Sequence, residues 1–400
     1  MAKPAKKNKK RKKRRLRKSF KIALVFLILT GALLIAVPWM NQNIKLKDLG
    51  YTQEEIRAIR KHKLTKTILE KQYYSTYLAD CIVNDKIRTK YLDLYAVRDE
   101  ANPLTADDIL LYARLLDDGY EEDQLINLFA NLRFWEITPL LIFDYQFDEK
   151  PYIDDCLAHR DTNSESSFTL SGSYMTPYVN MKEVEKKFDN TVFVNQVYHL
   201  NIDDTPADLV PLGDNISTQG QSLRKEAADA FTSWTEAAID NKTNFFAVAS
   251  FRSFDEQKTS YQSFLQSMSV EEADKRCARP GHSEHQTGLA VNITPTYEND
   301  PDFAATETGK FAAKTCTKYG FIVRYPEGKS LITGMDPEPD HFRYLGIDLA
   351  NAVQGSHLTY DEFYCLYLKD WQNAYYLPEE EIRDDLYYRI GIETKESSDQ

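Results

Sequence analysis

The chain has 400 residues, of which 42% are hydrophobic and 28% are charged. This is an ordinary globular composition, and the length allows two or three domains. The formal net charge is −11, but 13 of the 50 Lys and Arg residues lie within residues 3–21, which contain no acid. The remaining chain carries 37 basic and 61 acidic residues, a net charge of −24. So acidic a body argues against a nucleic-acid-binding function.

The basic segment, residues 1–21, is followed by nineteen uncharged residues, Ile22–Met40. A helix of that length just spans the hydrocarbon core of a bilayer. We therefore predict a single-pass signal anchor over residues 22–40, with the basic tail in the cytoplasm and everything after Met40 outside the cell membrane. A cleaved signal peptide is the first alternative, but AVPWMNQN offers a poor cleavage site. A nuclear-localisation or nucleic-acid-binding tail, the second alternative, would not adjoin a membrane-length apolar run.

Residues 41–150 are predicted to form a helical extracytoplasmic segment, because the periodicity is helical from Leu46 to about Asp148. Thr52 with Glu55, and Thr105 with Asp108, have the spacing of capping boxes that open amphipathic helices. No motif with chemistry occurs in this segment. A helical stalk or packing module is therefore favoured over a dedicated binding domain.

The rest of the chain is divided into a linker (residues 151–190, with a Ser-rich part at 161–173), a folded domain (191–376) and an acidic, frayed tail (377–400). Within the domain the predicted strands are Thr191–Val197, Asp208–Pro211, Asn244–Phe251 and Phe321–Tyr325, and the predicted helices include Ser222–Asp240 and Thr308–Tyr319. Mixed helices and short strands without regular βα alternation predict an α+β domain.

The five cysteines are Cys81, Cys156, Cys277, Cys316 and Cys365. Their small and odd number gives no disulfide framework. A Cys277–Cys316 bridge is conceivable because both lie in the folded domain. Unpaired cysteines are nevertheless the favoured prediction.

Two short segments, PGHSEHQTGLAVN and EPDHFRYLG, carry the candidate chemistry. In the first, His285 is followed seven residues later by Asn292, and in the second Glu338 precedes His341 by three residues. A histidine, an oxygen ligand seven residues on and a remote Glu-x-x-His are the elements of a mononuclear zinc hydrolase. A lone histidine is usually an ordinary core or surface residue, but the Ser-x-His-x-x-Gly context of His285 favours a ligand.

Together, SEHQTGLAV, KYGFIVRYP, ITG and EPDHFRY resemble, in this order, the VanY-type zinc D-alanyl-D-alanine carboxypeptidases. The resemblance extends from about Val194 to Tyr376. It implies a small antiparallel sheet with flanking helices that carries a zinc-peptidase groove, preceded here by the anchor helix and the helical segment. It also implies one zinc ion as cofactor and the trimming of D-alanine from peptidoglycan stem peptides.

The family pattern is Ser-x-His-x-x-Gly-x-Ala-x-Asp followed by Glu-Pro-Trp-His. The resemblance implies that His285 and His341 are zinc ligands and that Glu338 is the general base. The family's zinc-ligating Asp is replaced by Asn292, and its Trp by Asp340. An amide keeps one oxygen but removes a negative charge, so we expect weaker zinc binding. Asp340 could replace the missing carboxylate if its side chain turned towards the metal.

The substrate-binding candidates also follow from the resemblance. Arg252 in ASFRS occupies the place of the Arg in the family's Ser-Gly-Tyr-Arg-Ser, where a guanidinium can clamp a terminal carboxylate or stabilise an oxyanion. Ser253, Gln257 and Ser283 match polar positions that hold the peptide. Ordinary hydrogen bonding within loops is the alternative role for these three residues.

The leading functional hypothesis is a membrane-anchored zinc D,D- or L,D-carboxypeptidase that acts on stem peptides in the extracytoplasmic compartment. The first alternative is a catalytically impaired or inactive homologue that binds muropeptide or a partner protein. The second alternative is a membrane-anchored scaffold whose helical segment does the work. That scaffold would explain the anchor but not the presence of Arg252, Glu338 and His341.

Overall fold

The computed structural model of the chain describes residues 18–143, 148–160, 178–295 and 302–369. The chain divides into two compact units, Met1–Pro103 and Leu104–Gln400. The Ser-rich linker predicted at residues 161–173, the acidic tail predicted at residues 377–400 and most of the basic tail lie outside the described residues.

The first unit is helical over its described residues. Its helices are α1 (Lys18–Leu49), α2 (Gln53–Lys61), α3 (Thr65–Lys71), α4 (Thr76–Val83) and α5 (Leu92–Ala96). The capping box predicted at Thr52 is confirmed, because its side chain accepts the N–H of Glu55 and the Glu55 carboxylate accepts the N–H of Thr52. Aliphatic side chains with no solvent exposure form the core of this unit: Leu46, Ile59, Ile68, Leu78, Ile82 and Leu94.

The segment predicted to be the membrane anchor, Ile22–Met40, lies within α1. Across the part of the chain that the structure describes, no helix is both long enough and apolar enough to cross a membrane. The side chains of residues 21–25 and 31–35 are not among those described. The structure thus gives the anchor no support, and the anchor stays a prediction.

The second unit begins with five more helices: α6 (Ala106–Asp117), α7 (Glu122–Asn131), α8 (Phe134–Ile137), α9 (Pro139–Ile142) and α10 (Glu149–His159). Thr105 and Asp108 form the predicted capping box at the start of α6. Helix α10 covers residues 151–159, which the sequence analysis assigned to the linker. That assignment is wrong at its start, because Tyr152 and Cys156 on this helix are buried core residues.

In the described residues, eight short strands form three small sheets, which confirms that helices are mixed with small sheets. The strands are β1 (Lys182–Glu183), β2 (Tyr198–His199), β3 (Leu209–Pro211), β4 (Ser222–Arg224), β5 (Phe246–Ala249), β6 (Ala290–Thr294), β7 (Phe321–Tyr325) and β8 (Glu338–Tyr344). Strands β1 and β2 are parallel, whereas β3 and β4 are antiparallel. The main sheet is antiparallel with the order β5-β6-β8-β7.

The strand predicted over Thr191–Val197 is wrong. Side chains bond much of its backbone, although the carbonyl oxygen of Val197 accepts the N–H of Lys182 in β1 at 2.8 Å. The guanidinium of Arg343 donates to the carbonyl oxygens of Asn190 and Val192. The side-chain oxygen of Asn195 accepts the N–H of Val197 at 2.8 Å. Such side-chain bonds offer the backbone an alternative to a sheet ladder.

The second unit contains seven further α-helices among its described residues. They are α11 (Lys225–Asp240), α12 (Phe254–Leu265), α13 (Val270–Arg276), α14 (Glu307–Thr315), α15 (Ser330–Thr333), α16 (Ile347–Ser356) and α17 (Tyr360–Phe363). Helix α11 was predicted from Ser222, but it begins at Lys225 because Ser222–Arg224 pairs with β3 as strand β4. Ala227, Phe231, Trp234 and Ala238 on its inner face have no solvent exposure, and the ring centroid of Trp234 lies 5.3 Å from that of Phe321 and 5.0 Å from that of Phe342.

All five cysteines are buried and free. The predicted unpaired state is therefore confirmed, and the conceivable Cys277–Cys316 bridge is not formed. Burial raises the pKa of the Cys277 thiol, which keeps this thiol protonated and unreactive.

Candidate functional site

A cavity of about 350 Å³ opens at one end of the main sheet in the second unit. Seven of the eight predicted site residues line it: Arg252, Gln257, Ser283, His285, Asn292, Glu338 and His341. The eighth, Ser253, does not line the cavity. Residues from β5, β6 and β8 and from the turn before β6 thus meet at one place, although they are far apart in the sequence.

His285 lies in a 3₁₀ turn, Glu284–Thr287, that Gly288 ends in the left-handed conformation with φ 68°. A Cβ at position 288 would approach the side chains of Leu209 and Arg224 to 2.9 Å, so glycine is required there. The backbone N–H of His285 donates to the hydroxyl of Ser283 at 3.3 Å. This turn is the local structure that carries His285 into the cavity wall.

The ring of His285 is held as a neutral imidazole. Its Nδ1 lies 2.7 Å from the carbonyl oxygen of Ser250. Since a carbonyl only accepts, Nδ1 carries the proton and Nε2 keeps its lone pair. Burial lowers the pKa of His285 well below its usual range, and the positive charge of Arg252 lowers it further. A neutral ring whose other nitrogen is fixed by a carbonyl is the form that binds a metal.

His341 stands directly opposite Asn292 in the β6–β8 pairing, so the two side chains share a face of the sheet. Its ring centroid is 5.0 Å from that of His285. Its Nδ1 lies 3.0 Å from a carboxylate oxygen of Glu338. Its Nε2 is buried and has no hydrogen-bond partner among the described residues. A buried polar atom without a partner costs about 1–3 kcal/mol, and a metal ion is the kind of partner that would satisfy it.

The third predicted ligand, Asn292, lies next to both Asp340 and His285. Its Nδ2 donates to the carboxylate of Asp340 at 3.1 Å. Its side chain also lies close enough to His285 to raise the pKa of that imidazole, against the stronger lowering by burial. With Nδ2 turned to Asp340, the amide oxygen is the atom left to face the imidazoles.

His285, His341 and Asn292 thus line one cavity, with the two imidazole ring centroids 5.0 Å apart and Asn292 paired with His341 across the strands. Zinc in catalytic sites uses three protein ligands and one open position, and this set fits that pattern. Within the described ranges, no group of three His, Cys, Asp or Glu residues could hold a metal. The two findings agree, because the third donor here is an amide and not a carboxylate.

Glu338 begins β8 and fulfils a role that the sequence analysis did not assign. Its carboxylate accepts the Nδ1 proton of His341, which leaves the lone pair on Nε2 of a ring whose centroid lies 5.0 Å from that of His285. The side chain of Glu338 is 26% exposed and lines the cavity, so it also reaches a molecule bound there. Glu338 can therefore both orient a ligand and exchange a proton.

Arg252 follows β5, and both its backbone N–H and its guanidinium are hydrogen-bonded. Its backbone N–H donates to the carbonyl of His285 at 3.2 Å. Its guanidinium donates to Oε1 of Gln257 at 2.8 Å, and Nε2 of Gln257 donates to the carbonyl of Ala278 at 2.6 Å. Gln257 is buried and both ends of its amide are bonded, so it orients Arg252. The predicted direct contact of Gln257 with the peptide has less support than this positioning role.

Ser253 is the N-cap of α12. Its hydroxyl accepts the N–H of Glu256 at 3.3 Å and donates to the Glu256 carboxylate at 2.6 Å. These bonds lower the pKa of Glu256. The structure thus gives Ser253 a capping role, and its role in substrate binding stays a prediction.

A buried ionic network behind the cavity was missed by the sequence analysis. One oxygen of Glu284 accepts from Arg324 at 2.7 Å and from Arg343 at 3.0 Å, and Arg324 also pairs with Asp361 at 2.5 Å. These four side chains have no solvent exposure. Although burial opposes it, the two guanidinium groups hold the pKa of Glu284 below its usual range. Glu284 directly precedes His285 in the turn. The network therefore attaches this turn to β7, β8 and α17, which contain Arg324, Arg343 and Asp361.

The chain is similar to known carboxypeptidases. A profile of the VanY D-alanyl-D-alanine carboxypeptidase family matches residues 220–347. The chain is 33% identical over 215 residues to YodJ of Bacillus subtilis (strain 168), which is named as a candidate carboxypeptidase, and the match covers 51% of this chain and 79% of YodJ. It is 28% identical over 248 residues to a D-alanyl-D-alanine carboxypeptidase of Enterococcus faecium, covering 58% of this chain and 77% of that protein.

Among solved structures, the LdcB LD-carboxypeptidase is 33% identical in sequence, with a TM-score of 0.44. That match covers 48% of this chain and 92% of the LdcB chain. The identity to YodJ over most of the length of that relative establishes the family. The chain therefore belongs to the VanY family of D-alanyl-D-alanine carboxypeptidases and is a peptidase of that family.

Proposed function

We propose that this protein is a zinc-dependent carboxypeptidase that removes a C-terminal D-alanine from peptidoglycan stem peptides. The observation that carries the proposal is the buried, unpartnered Nε2 of His341, which lies beside His285 in a cavity that Glu338 and Arg252 also line. The relative in Enterococcus faecium is named a D-alanyl-D-alanine carboxypeptidase. That name supports a substrate that ends in D-alanine.

In this proposal, His285, His341 and Asn292 hold the zinc ion. When bound, zinc supplies Lewis-acid polarisation of the scissile carbonyl and makes water a stronger acid. Glu338 takes a proton from the attacking water and passes it to the leaving amine. The guanidinium of Arg252 binds the terminal carboxylate of the peptide, because a planar fork of N–H donors matches a carboxylate. Gln257 keeps that guanidinium in place.

The test is the release of D-alanine by the purified full-length chain. A stem tetrapeptide and a stem pentapeptide, each ending in D-alanine, distinguish L,D- from D,D-cleavage. We expect release from one of the two peptides, loss of release after treatment with a chelator, and recovery when zinc is added. A zinc-loaded chain that releases D-alanine from neither peptide would contradict the proposal.

Asn292 favours a second candidate, a member of the family that binds muropeptide or a partner protein without turnover. An amide is a weaker donor than a carboxylate, so His285, His341 and Asn292 would hold zinc less tightly than a set that contains an Asp. In that case the chain would bind the stem peptide equally well with and without a chelator. Peptide binding that needs zinc, together with D-alanine release, would rule this candidate out.

We further propose that the catalytic unit is extracytoplasmic and anchored by residues 22–40. The proposal rests on the basic residues 1–21 followed by the uncharged run Ile22–Met40. Protease treatment of intact protoplasts should remove the part of the chain after Met40. A fragment that remains protected until the membrane is broken would show that the placement is wrong.

A further inference from the structure

The two departures from the family pattern touch each other. Asn292 replaces the zinc-ligating Asp, and Asp340 replaces the Trp next to His341. In the structure, Nδ2 of Asn292 donates to Oδ2 of Asp340 at 3.1 Å, across the β6–β8 pair. Both side chains line the cavity. The position that lacks the family's carboxylate and the position that has an extra carboxylate are thus joined by one hydrogen bond.

This hydrogen bond decides which atom of Asn292 faces the imidazoles. A carboxylate only accepts hydrogen bonds, so it attracts the NH₂ group of an amide and repels its oxygen. Asp340 therefore holds the NH₂ group of Asn292 and leaves Oδ1 as the atom that can face the imidazole of His285, which lines the same cavity. Without this partner, the NH₂ group could face the metal position instead, and an NH₂ group is no metal ligand.

The bond also restores the charge of the site. An Asp ligand would give a zinc site with two imidazoles a net charge of +1, and Asn292 alone leaves it at +2. Asp340 lies one hydrogen bond from the ligand and returns the total to +1. A carboxylate that accepts from the amide also polarises its carbonyl and makes the oxygen a better donor, as carboxylates do for metal-bound imidazoles.

We propose that Asn292 and Asp340 form a two-residue substitute for the missing carboxylate ligand of a divalent metal such as zinc. Asn292 supplies the oxygen, and Asp340 is a positioning residue that supplies the orientation and the charge. The inference rests on the zinc site of the proposed function, but it concerns metal affinity and is tested separately from turnover.

The experiment measures zinc affinity of the full-length, metal-free chain by titration against a competing chelator. Asp340→Asn keeps the size of the side chain but removes the charge and the fixed orientation of the amide. We expect its zinc affinity to fall by about 10–100-fold, the usual effect of losing a partner that orients a metal ligand. The matched control is Asp336→Asn, which removes a carboxylate that pairs with the exposed Arg276. This control should change zinc affinity by less than about twofold, an ordinary surface effect.

The double variant Asn292→Asp with Asp340→Asn exchanges the two groups at constant charge. We expect it to bind zinc at least as tightly as the unaltered chain. Asn292→Asp should therefore raise affinity more in the Asp340→Asn background than alone, where two carboxylates face each other. Equal effects in the two backgrounds would overturn the inference.

The Asn292→Ala variant distinguishes two explanations: Asp340 acts through Asn292, or Asp340 binds the zinc ion directly. If Asp340 acts through Asn292, the alanine variant loses at least about tenfold in zinc affinity. Unchanged affinity of Asn292→Ala would make Asp340 the ligand and overturn the inference. Circular dichroism of each metal-free variant confirms that it is folded.

The result is independent of the activity assay. Zinc affinities that follow this pattern without D-alanine release would support the Asn292–Asp340 pair and contradict the proposed function. D-alanine release by a chain whose zinc affinity is unchanged in Asp340→Asn would support the proposed function and contradict the pair.

Discussion

Glu338 combines two tasks that can be separated by mutation. Its carboxylate orients His341 and, in the proposed reaction, moves a proton. Glu338→Gln keeps an oxygen that can accept from Nδ1 of His341 but cannot take up a proton. We expect turnover to fall by about 10²–10⁴-fold, while zinc affinity changes by only a few-fold.

Glu338→Ala removes both tasks and should weaken zinc binding by a further factor of about 10–100. Turnover and zinc affinity of the two variants are measured on the same preparations. If the alanine and glutamine variants bind zinc equally well, Glu338 has no part in orienting His341.

A second residue-scale prediction concerns Gln257. Gln257→Glu places a carboxylate next to the guanidinium of Arg252, at the position where Oε1 now accepts at 2.8 Å. The guanidinium would then be neutralised by its neighbour and less available to a substrate carboxylate. We expect kcat/KM for the stem peptide to fall by about 10–100-fold, a loss of about 1.4–2.7 kcal/mol.

Zinc affinity is the control for Gln257→Glu, since Gln257 has no contact with the imidazoles among the bonds described. It should stay within about threefold of the unaltered chain, an effect smaller than those of metal-orienting partners. Unchanged kcat/KM in this variant would mean that Arg252 does not bind the substrate carboxylate.

At the scale of elements, the pairing of β6 with β8 builds the site. It sets Asn292 opposite His341, and the turn before β6 brings His285 to the same face. The pairing of β7 with β8 becomes irregular between Val323 and Tyr325, next to the start of β8 at Glu338. The site therefore lies where regular strand pairing ends, and side chains leave the usual alternation there.

Helix α12 gives the element-scale prediction. Ser253→Ala removes the N-cap of α12, whose hydroxyl bonds to Glu256. The free energy of unfolding should fall by about 1 kcal/mol, as measured by denaturant titration. Because Ser253 does not line the cavity, KM for the stem peptide should change by less than about twofold. A large rise in KM with unchanged stability would support the substrate-binding role of Ser253 that the sequence predicts.

At the scale of the whole molecule, stability should depend on pH through His282. Burial lowers the pKa of His282 from 6.5 to about 4. Its Nδ1 bonds to the carbonyl of Asn195 at 2.7 Å, and its ring lies edge-on to Tyr178. In this pH range the unfolded chain binds a proton that the folded chain does not. Stability from this group is therefore complete above pH 6.5 and is lost as the pH falls towards 4.

The expected loss between pH 7 and pH 5 is about 2 kcal/mol from this residue alone. Denaturant unfolding of the metal-free chain at both pH values measures it. His282→Gln should remove that share of the pH dependence, whereas the exposed His159→Gln should leave it intact. A His282→Gln chain with the full pH dependence would contradict the assignment.

The sequence by itself determined the features that depend on near neighbours. The capping boxes at Thr52 and Thr105 and the buried face of α11 follow from spacings within one or two helical turns. The motifs around His285 and His341 likewise show in the sequence, because residue type and short spacing define them. The strand Phe321–Tyr325 was predicted with its correct bounds.

Only the tertiary structure decided the features that depend on strand register and on side chains from distant segments. The contact of Asn292 with Asp340, the bond of Gln257 to Arg252 and the missing strand before Val197 are of this kind. No local periodicity records which distant group will accept a hydrogen bond. The buried pairing of Glu284 with Arg324 and Arg343 could not be predicted for the same reason. Buried charges are stable only once folding has brought their partners together.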